Sequence, residues 1–483
     1  MREPISKVDT AWLRMEQPTN LMMINGVVML EGELDYQQLI ETIEQRFLMF
    51  RRFRQKAVDK SSGAHWDTDE DFDIQDHVRR TALPGEAGKP ELETLVSELA
   101  STPLDTSRPL WQFHVVENYV DGPVLVIRIH HCIADGIALV QVFLSLTDPD
   151  PQCRPSAAKP EVWKERHLQK APVFQRLLDP AREGLDFAVQ TGQRLWEEGA
   201  RILQDPELAG EYATEAAEIA RELGHCLTLP NDPASRFKGR LSVNKKVAWA
   251  VPLPLEEVKA VSKAFGCTVN DVLIAAVSGA MREYMIDKGD DPDEIEDIRA
   301  TVPVNLRPLE HALELGNHFG LVFLPLPLSQ SNPLKRLYTV NTEMQKLKSS
   351  KQATVTLGFL AALGMGPSFI QKPVLEMISQ KATTVLTNVP GPQQALYLAG
   401  SRINEMMFWV PQNGGIGLGV SILSYNGQVF FGLISDRRLI AEPGEIICRF
   451  KAEFEKLLYL GLMLPSDERP EADHAEALLD ILV

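Results

Sequence analysis

Only five of the 483 residues are cysteine, an odd number without paired spacing, so a disulfide framework is excluded and a reducing compartment expected. Basic residues are also short. The 49 Lys and Arg against 66 Asp and Glu leave a formal charge of −17, which argues against nucleic acid or an electrostatically held anionic membrane as the main partner. No stretch qualifies as a membrane span. The nearest, residues 352–371, has no charge but is interrupted by Gly358, Gly364, Gly366 and Pro367. It lines an apolar tunnel, touches a lipid surface or packs as ordinary core; Phe359 and Leu363 are its test positions. The start of the chain lacks the apolar centre of a secretory signal, so a cytoplasmic location is expected. No short-period repeat is present. With 44% hydrophobic residues over a length exceeding one ordinary core, the chain should form two globular units.

What is present is LVIRIHHCIADGIALVQVFLSL at residues 125–146. An apolar run stops at two histidines and resumes after Ala134-Asp135-Gly136. Val124 to Ile129, aliphatic except for Arg128, reads as a mostly buried strand. Alternation puts His131 on the face of Leu125, Ile127 and Ile129, and His130 on that of Val126 and Arg128. Apolar residues at Ile137, Leu139, Val140, Phe143, Leu144 and Leu146 then recur at helical spacing, with Asp135 as the cap.

An imidazole titrates near neutral pH, so one set on an apolar wall can take a proton from a hydroxyl or thiol and return it. His131 is the candidate base, with His130 beside it. Asp135 would brace the turn by pairing with an arginine elsewhere. Gly136 would let the backbone pack closely or adopt an angle barred to other residues. A single histidine at a strand end is more often a hydrogen-bonded core residue than a catalyst. The full pattern HHxxxDG, however, arises by chance on the order of once in a thousand chains of this length. No metal site is expected, because adjacent strand histidines point apart and no His or Cys cluster follows at ligand spacing. Nothing marks Cys132 as an activated thiol.

Elsewhere, residues 22–32 read as a strand, 34–47 as a helix and 111–120 as an antiparallel neighbour of the histidine strand. From residue 148 to 160 the composition turns to Pro, Asp and Ser, a boundary. Residues 1–160, a charged helical linker at 161–235, and 236–483 are the expected units. In the second, Thr268 and Asp271 have capping-box-like spacing and put Asn270 in the first turn of a helix. Asn270 either helps to hold a developing oxyanion there or, with Asp271, braces the interface. Residues 299–328 read as two strands joined by a polar loop, and Asn426-Gly427 as a hairpin turn.

HHCIADG resembles the HHxxxDG motif of the CoA-dependent acyltransferase superfamily, which includes chloramphenicol acetyltransferase, carnitine acyltransferases and peptide-synthetase condensation domains. PLDTSRPLW at 103–111, FDIQDHVRR at 72–80, VNDVLIAAVSGAMR at 269–282 and TNVPGP at 387–392 narrow the resemblance to the bacterial wax ester synthase/diacylglycerol acyltransferase family, from about Ser6 to about Leu460. The resemblance implies an α/β fold of two chloramphenicol-acetyltransferase-like subdomains, mixed sheets flanked by helices and joined by the linker. It implies transfer of a long-chain acyl group from acyl-CoA, a substrate rather than a cofactor, to a fatty alcohol or diacylglycerol. His131 would act as base without an acyl-enzyme, and the protein would work in the cytoplasm, peripherally at membrane or lipid inclusions. CoA phosphates would fall to Arg51, Arg52, Arg54 and Lys56 unless these form a solvated patch. Arg307 is either another phosphate contact or the partner of Asp135. The alternatives are a condensation-type enzyme fed by a carrier-bound thioester and a non-enzymatic lipid-binding protein.

Overall fold

The computed structural model describes residues 2–60, 63–152, 221–222, 224–226, 228–307, 315–365, 376–412 and 414–463. Most of the linker expected at 161–235, and the acidic tail after Pro465, lie outside these residues.

In chain order the strands are β1 (Glu3–Pro4), β2 (Met23–Glu31), β3 (Gln55–Lys60), β4 (Gly63–Thr68), β5 (Val78–Thr81), β6 (Trp111–Val116), β7 (Val124–His130) and β8 (Thr147–Asp148). There follow β9 (Lys245–Trp249), β10 (Leu253–Pro254), β11 (Ile298–Asn305), β12 (Phe319–Leu326), β13 (Thr384–Pro390), β14 (Tyr397–Leu398), β15 (Ser401–Trp409), β16 (Leu418–Tyr425) and β17 (Gln428–Asp436). The main helices are α1 (Lys7–Met15), α2 (Tyr36–Thr42), α3 (Lys89–Ser101), α4 (Gly136–Ser145), α5 (Leu255–Ala264), α6 (Val269–Asp287), α7 (Pro333–Lys348), α8 (Gln352–Met365) and α9 (Gly444–Met463). The helix expected over 34–47 starts at Tyr36 and widens after Thr42 into a π-type turn over Ile43–Phe47.

Two seven-stranded mixed sheets carry the fold, in the orders β5-β6-β7-β2-β15-β14-β8 and β10-β17-β16-β13-β11-β12, with β9 also on β17. β7 is buried along its whole length because β6 and β2 flank it and both of its faces are covered. The sheets do not follow chain order. β14 and β15, from residues 397–409, complete the first sheet, with Phe408 opposite Gly26, so the sheet boundary is not the expected division at 160 and 236. The core of the first sheet accordingly takes in Trp249, Phe319, Leu396, Trp409 and Tyr425.

Local chemistry explains the elements that frame the site. α6 begins at a capping box in which Thr268 and Asp271 satisfy each other's backbone N–H groups. The β16–β17 hairpin turns through Asn426 and Gly427 at φ 48° and 76°, the left-handed pair that a two-residue turn requires. β12 is an edge strand, and α8 closes it with side chains. Thr356 Oγ1 accepts from Leu321 N at 2.7 Å and donates to Leu321 O at 2.8 Å, while Gln352 Oε1 accepts from Phe323 N at 2.6 Å. Among the described residues no single helix is long and apolar enough to cross a membrane. Phe359 of α8 packs against the first core; Leu363 lies outside the described side chains.

Candidate active site

The turn after β7 is built by Asp135. As N-cap of α4 it accepts through Oδ1 from Ala138 N at 2.9 Å. Its Oδ2 accepts from Arg307 Nη2 at 2.7 Å and from His318 N at 2.9 Å, and its backbone N–H donates to Gly316 O at 3.2 Å. Arg307 is therefore the partner of Asp135, of the two roles open to it. Gly136 follows with neither of its expected reasons. Its φ is not positive, and a Cβ added there would meet nothing within 4 Å. It lines an apolar pocket instead.

His131 sits just past the end of β7 and is 4% exposed. Its ring stacks on Trp12 of α1, with centroids 4.2 Å apart and planes 19° apart, and meets Phe319 of β12 at 5.5 Å. The backbone is pinned on both sides. His131 N donates to Met22 O at 2.7 Å, and Asn317 Nδ2 donates to His131 O at 2.8 Å. Burial lowers the imidazole pKa to about 4, and the Asp135 carboxylate opposes this only in part, so the ring is neutral at neutral pH. His131 Nδ1, Trp12 Nε1 and Asn317 Oδ1 are buried without a hydrogen-bond partner among the described residues.

His130 has other partners. Its Nδ1 accepts from Cys132 N at 3.1 Å, which leaves Nε2–H to donate to Glu16 Oε2 at 2.9 Å. Glu16 Oε2 also accepts from Met22 N at 3.2 Å, tying the β2 entrance to the same carboxylate. Cys132 is fully buried, and burial raises its thiol pKa well above the ordinary value, so it is no ready nucleophile.

Asn270 stands in the first turn of α6, and its Oδ1 accepts from Asn388 Nδ2 at 2.7 Å. Hydrogen bonds join it to β13 and not to the histidine turn. Of the basic cluster, Arg52 lies over the Trp66 ring at 4.3 Å and 3.8 Å from Glu3, and Lys56 pairs with Asp69 at 3.1 Å. Local partners thus occupy two of the four cations. Among the described residues no group of three His, Cys, Asp or Glu could hold a metal ion.

Residues that the sequence did not single out complete the frame. Asp9 of α1 accepts through Oδ1 from Asn317 N at 3.0 Å and Asn317 Nδ2 at 2.7 Å. Burial raises the Asp9 pKa and the Asn317 bonds oppose it. Asn317 therefore links α1, the β12 approach and the His131 backbone. Its only sequence signal is its place in the polar loop between two strands.

The pocket runs between α4 and both sheets. Ile129 and Gly136, on either side of the histidine pair in the chain, line it; Phe113, Phe143 and Phe408 also line it, with Thr387, Val389, Ile422 and Leu423 from the second sheet. Its empty space, open end included, is about 720 Å³.

Known proteins resemble this chain over most of its length. The wax ester synthase/diacylglycerol acyltransferase catalytic domain model matches residues 5–273, more than half of the chain, and the C-terminal domain model of the same family matches 315–458. A Mycobacterium tuberculosis protein named a probable diacylglycerol O-acyltransferase is 27% identical over 453 residues, 92% of this chain and 93% of that one. The wax ester synthase/diacylglycerol acyltransferase of Marinobacter aquaeolei VT8 is similar in structure, with a TM-score of 0.65, 21% identity, and coverage of 95% of this chain and 100% of that one. The first condensation domain of the calcium-dependent antibiotic synthetase shares the fold at a TM-score of 0.59 and 14% identity, covering 98% of each chain. The chain belongs to the wax ester synthase/diacylglycerol acyltransferase family and is an acyltransferase.

Proposed function

We propose that this enzyme transfers a long-chain acyl group from acyl-CoA to a fatty alcohol, a diacylglycerol or both, with His131 as general base and no acyl-enzyme. The observation that carries the reading is the neutral, buried His131 imidazole, its ring and backbone fixed, in the turn between Ile129 and Gly136, which both line the apolar pocket. His131 takes the proton of the acceptor hydroxyl, and the oxygen attacks the thioester carbonyl carbon. The tetrahedral intermediate then collapses, and protonated His131 returns the proton to the departing CoA sulfur. Asn270, whose Oδ1 is held by Asn388, keeps its Nδ2 donor for the developing oxyanion at the α6 N-terminus. General-base help supplies roughly 10² to 10⁴ in rate, and fixing the two substrates in register supplies much of the rest.

The enzyme works in the cytoplasm and meets lipid peripherally. Apolar side chains at the end of α9 support this contact, with Tyr459 49%, Leu462 73% and Met463 47% exposed. The fold shared with condensation domains keeps a carrier-fed reading as the alternative. One assay separates them: thiol release from palmitoyl-CoA, with and without hexadecanol or dioleoylglycerol, for wild type and His131→Ala. Acceptor-dependent release that collapses in the variant is expected. Release that survives the substitution would sink the mechanism, and no release with either acceptor would favour the carrier-fed enzyme.

A further inference from the structure

Phe408 of β15 stands opposite Gly26 of β2, and its ring covers the glycine. A Cβ built on Gly26 would lie 2.4 Å from ring atoms Cδ1 and Cε1. The Gly26 backbone is ordinary strand, without positive φ, and the next obstacle is Ile127 Cβ at 3.5 Å, an ordinary contact. One ring, not the backbone, therefore demands glycine here. The ring also meets Phe143 of α4 edge-on, at 5.7 Å and 68°.

Phe143 and Phe408 both line the apolar pocket. Gly136, at the start of α4, lines it beside the histidine turn, and Phe143 comes seven residues later, about 10 Å along the helix. An alkyl chain held along α4 from the Gly136 side would meet this aromatic pair about two helical turns on. Every lining residue except Thr387 and Gly136 has an apolar side chain, so only hydrocarbon is at home there.

We propose that Gly26, Phe408 and Phe143 form the length gate for the alkyl chain of a substrate: Gly26 seats the Phe408 ring, and the seated ring sets how deep the chain can reach. This inference rests on the acyltransfer reading above and adds which residues measure the chain. A methyl group at Gly26 must shift the ring, which itself lines the pocket. Each buried methylene is worth roughly a factor of four in affinity, so loss of depth registers as a change in chain-length preference.

The full-length enzyme is assayed for kcat/KM with C8 to C18 acyl-CoAs at fixed hexadecanol, and with C8 to C18 alcohols at fixed palmitoyl-CoA. Gly26→Ala is expected to lower the long-to-medium ratio about tenfold in one of the two series, which identifies whether the acyl or the alcohol chain occupies the pocket. Phe408→Ala is expected to raise that ratio. In the double variant the methyl group has the vacated space, so the ratio returns to that of Phe408→Ala. Flat ratios for both single variants would overturn the gate alone, as would a double variant that keeps the Gly26→Ala defect. A wild type that releases no thiol with any acceptor would overturn the acyltransfer reading and the gate together. Thermal unfolding accompanies each variant; if Gly26→Ala does not fold, Phe408→Ala and the milder Phe408→Leu decide, two unchanged ratios overturning the gate.

Discussion

Asp135 Oδ2 lies 2.7 Å from Arg307 Nη2, a buried ion pair between residues 172 apart in the chain, with side chains 4% and 1% exposed. Two buried charges cost heavily to desolvate, so the pair is no surplus of stability. It fixes the turn that places His131 and the strand pair β11–β12 relative to each other.

Arg307→Ala strands the Asp135 carboxylate with only backbone donors, and should cost about 3–5 kcal/mol in urea unfolding. Asp135→Asn combined with Arg307→Met should recover much of that loss. A single variant with an unchanged midpoint would show the pair to be incidental.

Asn317→Ala removes the donor to His131 O and to Asp9. It touches the orientation of the base, so kcat should fall on the order of 10²-fold with KM nearly constant. A rise in KM at constant kcat would place Asn317 in substrate binding instead.

His131 and His114 both have pKa values lowered to about 4, chiefly by burial, against 6.5 in an open chain. Between those values the unfolded chain binds more protons than the folded one. Stability is therefore complete above pH 6.5 and declines as the pH falls toward 4, by about 3 kcal/mol for each histidine at the lower limit. The acid limb of kcat/KM should lie near 4. A limb at 6.5 would mean that the ring is hydrated in the working enzyme.

A Cβ on Gly320 would come 1.8 Å from Ala353 O, where α8 presses on β12. Gly320→Ala should cost about 1–3 kcal/mol. Hydrogen exchange should quicken at the Leu321 and Phe323 amides, which α8 side chains protect. Unchanged exchange at both amides would mean that the helix yields without leaving the edge.

The motif was legible because the signals of β7 and α4 are local: a buried run, a cap and helical spacing, all within 22 residues. The capping box at Thr268 and the Asn426-Gly427 turn were legible for the same reason. The Asp135 partner was narrowed to Arg307 only as one of two roles, since pairing across 172 residues leaves no trace in spacing. Trp12, Asp9 and Asn317 escaped because ring stacking and a side-chain bond to a backbone carbonyl have no period. The Gly136 expectation failed on another ground. A glycine can be required by the space it leaves for a ligand as well as by backbone angle or neighbouring atoms.

The strand exchange has a consequence for synthesis. Ser401 Oγ donates to Glu33 O, a bond spanning 368 residues at the join of β2 and β15. At roughly 5–20 residues per second, a ribosome leaves that edge of β2 without its neighbour for about 20–70 seconds. An open, largely apolar edge invites pairing with other chains. The nascent first half must therefore be shielded until residue 409 emerges, and a hybrid enzyme that trades second halves between relatives must keep residues 397–409 with the first.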